Sequence, residues 1–135
     1  MLSNTLEAPK DGATHSTLKT RVWTGRLLWA LGVPFMLFDA SLHVANPPFV
    51  AEYAQKFGMS SSLMTPLGIV ELACLALYVV PRTAVIGAVL LTAYLGGAVE
   101  TQLRTGGSYG FAIFIAALLW GSLYCRDARV RSLLK

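Results

Sequence analysis

LMTPLGIVELACLALYVVPRTAVIGAVLLTAYLGGAVETQL, residues 63–103, decides the fold. It holds two apolar runs, 63–80 and 83–103, separated only by Pro81 and Arg82. Each is close to the roughly 20 residues a helix needs to cross the hydrocarbon of a bilayer. Proline ends the first helix, so the join is a tight turn and the two helices lie antiparallel. Ser60, Ser61 and Ser62 offer N-caps for the first of them, and Pro66 falls in its first turn, where the missing N–H matters least. Two carboxylates, Glu71 and Glu100, interrupt this apolar background. A charge at membrane depth is costly, so such residues face a bundle interior or a wet cavity.

Two further apolar runs flank this pair. VWTGRLLWALGVPFMLFDASLHV (22–44) lies upstream, with Arg26 near one end, Pro34 inside and Asp39 and His43 towards the other end. Downstream, after Gly106, Gly107 and Ser108, comes a shorter run over 109–124. The expected fold is an all-α membrane protein: a bundle of four transmembrane helices at about 22–44, 63–80, 83–103 and 109–124. Between the first two, Phe49, Val50, Tyr53 and Phe57 recur at helical spacing opposite Glu52, Gln55 and Lys56. That pattern predicts a short amphipathic helix in the membrane interface, entered through Pro47 and Pro48 and closed by Gly58. Residues 1–20 are polar and lack the apolar core of a secretory signal, so they read as a disordered cytoplasmic tail before a membrane domain at 21–135.

The totals agree. Of 135 residues, 55% are hydrophobic and 13% charged, about half the charge of a soluble domain. The net charge of +4 does not mark a nucleic-acid surface, because the basic residues gather at the chain ends. Lys10, Lys19, Arg21, Arg26, Arg82, Arg126, Arg129, Arg131 and Lys135 fall on one side of the predicted topology, Lys56 and Arg104 on the other. The positive-inside rule then places both termini in the cytoplasm. Cys74 and Cys125 show no metal spacing and read as packing residues, and no metal is expected.

Helical rise puts Asp39 roughly 8 Å and Glu71 roughly 12 Å below the outer boundary. His43 stands at that boundary, and Glu100 and Arg104 close the outer end of the third span. The pairs Asp39–His43 and Glu100–Arg104 each share a helix face at four-residue spacing. Ala84, Ala88, Thr92, Gly96 and Glu100 recur every four residues, a small-residue stripe expected to turn Glu100 into the bundle. Glu71 has Tyr78 two turns along its own face. On one reading these are structural pairs and Glu71 carries a proton while bonding a neighbouring helix. On the other they line an outward-facing pocket or proton path, with Glu71 deepest. A haem held between helices by this chain alone is not expected, because the spans carry a single histidine, and no nucleotide loop, Ser-His-Asp spacing or HExxH motif occurs.

The order Pro66-Leu67-Gly68-Ile69 with Glu71 after it, Tyr78-Val79-Val80-Pro81-Arg82-Thr83, and Leu91-Thr92-Ala93-Tyr94-Leu95-Gly96-Gly97-Ala98 before Arg104 closely resembles the DoxX-like family of small four-helix membrane proteins. Phe38 to Phe49, with Asp39, His43, Pro47 and Pro48, fits the same layout. The resemblance implies a bacterial inner-membrane protein. The family is named after a membrane subunit of a thiosulfate:quinone oxidoreductase, a name that by itself carries no redox activity to this chain. One departure is visible: Gln102 stands where members often carry a histidine, in Thr101-Gln102-Leu103-Arg104.

The leading expectation is an accessory protein that binds a small lipophilic molecule such as quinone in an outer-leaflet pocket. Glu71 would be its anchor, Asp39 and His43 its mouth, Glu100 and Arg104 its opposite rim, with Tyr78 nearby. The alternatives are a subunit that moves electrons or protons with a soluble or membrane redox partner, and a scaffold for other proteins. Self-association is left open.

Overall fold

A computed structural model describes residues 11–133 and 135, and among them every element is helical. The chain runs α1 (Asp11–Ala45), α2 (Pro48–Lys56), a 3₁₀ turn (Ser61–Leu63), α3 (Met64–Val79), α4 (Ala84–Thr105), α5 (Gly110–Arg126) and α6 (Ala128–Leu133). The helices α1, α3, α4 and α5 form a closed ring, in which α1 packs against α3 and α5, and α4 packs against the same two. Of the described helices, three are long and apolar enough to cross a membrane: Thr14–Ala45, Ser61–Val79 (with its 3₁₀ turn) and Ala84–Thr105. Gly110–Arg126 is apolar but shorter.

The core holds Met36 from α1, Tyr78 from α3, Leu91 from α4, and Leu119 and Leu123 from α5. Outside it, Leu27, Leu31, Phe38, Ile69, Ile86, Val89, Ile113 and Phe114 are exposed. An apolar core under an apolar exterior suits a bundle whose solvent is lipid. The α3–α4 turn is tight, as expected, and Thr83 Oγ1 closes it by donating to the Leu77 carbonyl at 2.8 Å. The predicted helix between the first two spans is present as α2, and it docks onto the bundle through Val50 and Ala54. Gly58, at φ 69°, ends it, with Met59 N–H donating to the Ala54 carbonyl at 3.0 Å.

Two boundaries differ from the sequence reading. Residues 11–20, expected in a disordered tail, belong to α1; residues 1–10 of that tail lie outside the described residues. No proline interrupts 11–33, so the long helix propagates into polar sequence, and the Thr20 and Thr24 hydroxyls fold back onto the Ser16 and Thr20 carbonyls. At the other end α6 was not anticipated. Asp127 caps it, accepting from the Arg129 backbone N–H at 2.8 Å and from Arg129 Nη2 at 2.8 Å. Arg129 Nη2 also donates to the Pro81 carbonyl at 2.6 Å, which ties the C-terminal segment to the α3–α4 turn.

The hydrogen bond from the Arg129 side chain holds the Asp127 carboxyl below its ordinary value of 3.8. A depressed folded-state pKa means that the contribution is fully present above the unfolded value and is lost as pH falls through the folded one. Asp127→Ala should therefore lower the thermal midpoint at neutral pH, by the equivalent of about 1 kcal/mol for a lost cap. The difference from wild type should close in strong acid, and paired melts at the two pH values read it directly.

Candidate functional site

Near the α2 end of the bundle three helices bring polar side chains to one point. Asp39 and His43, one turn apart on α1, face Glu71 on α3 and Tyr94 on α4. Gly68 permits this meeting. A Cβ there would lie 2.7 Å from Val44 N, 2.8 Å from the Ala40 carbonyl oxygen and 2.8 Å from His43 Cβ, so only glycine lets α3 approach α1 so closely at this level. Thr65 Oγ1 adds a hydrogen bond to the Val44 carbonyl at 3.3 Å. One turn beyond Gly68, Glu71 is thereby delivered to the inner face of α1.

Glu71 is 0% exposed. Its Oε2 accepts from the Tyr94 hydroxyl at 2.8 Å and lies 3.3 Å from His43 Nδ1. The same ring nitrogen stands 3.5 Å from Asp39 Oδ2. Glu71 Oε1 is buried without a hydrogen-bond partner. Burying a carboxyl is costly unless its oxygens are satisfied, and half of this one is not. The cluster is graded in depth: the His43 and Asp39 side chains are 24% and 39% exposed, and both lead inward to the sealed Glu71. Asp39, His43 and Glu71 each offer a ligand atom, all within 4.8 Å of one another. The sequence reading placed these three at one pocket; it did not give their ligand-like spacing, because Glu71 comes from a different helix.

The other residues singled out in the sequence lie elsewhere. Tyr78 is buried, but its hydroxyl donates to the Leu119 carbonyl of α5 at 2.7 Å and takes no part in the cluster. The phenol that meets Glu71 is Tyr94, which the sequence reading passed over. A signal for it existed: Glu71 and Tyr94 stand about a dozen residues on either side of the Pro81–Thr83 turn, and equal rise along antiparallel helices puts them at one depth.

Glu100 does not turn into the bundle. Its side chain is 60% exposed and accepts from Arg104 Nη1 at 3.4 Å, with Arg104 76% exposed. Ala84 and Ala88 are buried, whereas Thr92 and Gly96 are exposed. A four-residue repeat advances about 40° per step on a helix of 3.6 residues per turn, so the stripe has walked roughly 160° around α4 by Glu100. The ion pair instead borders a surface hollow of about 390 Å³ beside Lys56, Phe57 and Met59. A second hollow of about 360 Å³ sits at the opposite end, between Pro81 and Arg129. Neither is lined by a cluster residue.

A model of the DoxX-like family matches residues 27–123, more than half of the chain and all four cluster residues. The chain belongs to the DoxX-like family. It is a membrane protein on two concordant grounds, its family and its span-length apolar helices. Within this DoxX-like chain α6 and the Asp127–Arg129 pair lie beyond the matched segment. No curated protein matches it, and no solved structure does.

Proposed function

We propose that this DoxX-like protein is a four-span protein of a bacterial inner membrane that binds a small lipophilic molecule bearing a carbonyl group, such as a quinone. The fourth span is α5, whose 17 residues rise about 25 Å and are accommodated by local thinning of the bilayer. Both termini are cytoplasmic in this reading, on the distribution of lysine and arginine, and α2 lies in the outer interface.

The observation that carries the proposal is the graded burial of the cluster. Partly exposed Asp39 and His43 stand on the outside of a fully buried, half-satisfied Glu71. A carbonyl arriving from the outer leaflet would take the His43 ring N–H as donor, while its apolar body stays in lipid. Glu71, held by Tyr94, fixes the orientation of that ring. Few precisely placed polar groups beside an apolar wall are what a small-ligand site requires.

Mass spectrometry of lipophilic extracts from protein purified in mild detergent tests this. Wild type should carry a defined quinone or similar carbonyl compound. Glu71→Gln, which keeps the volume, should retain it about tenfold less, the loss expected for one hydrogen bond involving a charged group. Bulk lipid alone in both samples would overturn the proposal.

A further inference from the structure

We propose that Asp39, His43 and Glu71 form a binding site for one divalent first-row transition-metal ion. The site coincides with the cluster assigned above to a lipophile, but its argument does not depend on that assignment.

Geometry comes first. Bonds of about 2.0–2.1 Å around a tetrahedral ion place ligand atoms about 3.3 Å apart. His43 Nδ1 already stands 3.3 Å from Glu71 Oε2 and 3.5 Å from Asp39 Oδ2. The third edge, between the two carboxylates, is no longer than 4.8 Å. Asp39 is the partly exposed member, so the ligand that must move is the one with room to do so.

Charge and satisfaction point the same way. Two carboxylates share this site, and among the described residues the ion-pair partner of both is His43. A divalent ion matches two carboxylates, with His43 as a neutral nitrogen ligand. It also gives a partner to a buried oxygen that the fold leaves without one: Glu71 Oε1 belongs to the same carboxylate, and bidentate ligation would satisfy it. Tyr94, donating to Oε2, then holds the ligating carboxylate in place. One imidazole with two carboxylates suits Mn²⁺, Fe²⁺ or Zn²⁺, whereas Mg²⁺ and Ca²⁺ favour all-oxygen sets and Cu⁺ favours thiolates.

Protein in detergent, stripped with a chelator and dialysed against Zn²⁺ or Mn²⁺, would be analysed by elemental mass spectrometry. Wild type and the Glu100→Gln control should each retain about one ion per chain, and Co²⁺-loaded wild type should show a visible absorption band shifted by nitrogen ligation. Asp39→Asn and Glu71→Gln should bind at least tenfold more weakly, and Tyr94→Phe about tenfold, as expected for a supporting partner. Asp39 is partly exposed, so its variant keeps the test sound if Glu71→Gln does not fold. Wild type retaining no more metal than these variants would overturn the site. Metal content and extracted lipophile are separate readouts of the same preparations, so either assignment can fail without the other.

Discussion

Gly87→Ala should destabilise the protein by about 3 kcal/mol or more, at the upper end of what overpacking costs, and Gly87→Val should not accumulate as a monodisperse species. A Cβ built on Gly87 would run into the backbone nitrogen of Tyr78, and lies 2.5 Å from Tyr78 Cα and 2.7 Å from the carbonyl carbon of Leu77. These are main-chain atoms of α3 and cannot rotate aside. The only relief is separation of α3 from α4, just beyond the turn that joins them. Separation would drag Tyr78, whose hydroxyl is anchored to α5 through the Leu119 carbonyl, and would open the buried contacts of Ala84, Ala88 and Leu91. A sharp internal control exists on the same helix. At Gly96 and Gly97 a Cβ would meet nothing within 4 Å, so alanine there should be neutral or stabilising by up to about 1 kcal/mol from helix propensity. Thermal midpoints and size-exclusion profiles in one detergent would rank the three sites. Equal effects at Gly87 and Gly96 would contradict the packing described.

Gly87 also shows where sequence reading stops. The apolar runs made the helices legible, because hydrocarbon demands long unbroken segments with internally satisfied backbone. Pro81 made the α3–α4 turn legible for the same kind of reason. Helix facing was harder, since a repeat of four looks constant in a sequence while its direction rotates in space. Hence Ala84 and Ala88 lie inside and Glu100 outside, and the glycine that governs close approach, Gly87, is not in the stripe. The polar cluster was half legible. Asp39, His43 and Glu71 announced themselves as ionisable groups in the outer half of the predicted spans. Tyr94 did not, because a tyrosine in an apolar run reads as ordinary bulk until the hairpin pairs it with Glu71. Tyr78 drew attention through spacing along one helix, yet its hydroxyl found a backbone carbonyl across the core.

Glu71→Ala should cost about 3–5 kcal/mol, the loss expected when a fully buried side chain is truncated and its hydrogen-bond partners are stranded. Three effects add in the same direction. The side chain is 0% exposed, so its removal leaves a cavity. The Tyr94 hydroxyl loses its acceptor, and His43 loses its inner partner. An isolated polar contact between helices in a membrane averages only about 0.6 kcal/mol, so Tyr94→Phe alone should be mild, at about 1 kcal/mol. What makes Glu71 costly to remove is the pair of groups left facing each other without it. Glu71→Gln keeps the volume and one oxygen to accept from Tyr94, but it sets its amide NH2 where Oε1 has no partner, so it should cost about 1–3 kcal/mol, less than the alanine variant. Glu71→Leu fills the volume but strands the phenol, and adding Tyr94→Phe removes the stranded group. The double variant should therefore be more stable than the sum of the two single losses, by about 1 kcal/mol or more, because replacing both partners by apolar groups avoids the penalty of leaving one unpaired. Denaturation of the four proteins in one detergent measures that coupling. Strict additivity would mean that Tyr94 and Glu71 do not bond, and the cluster would lose the contact that orients its deepest residue.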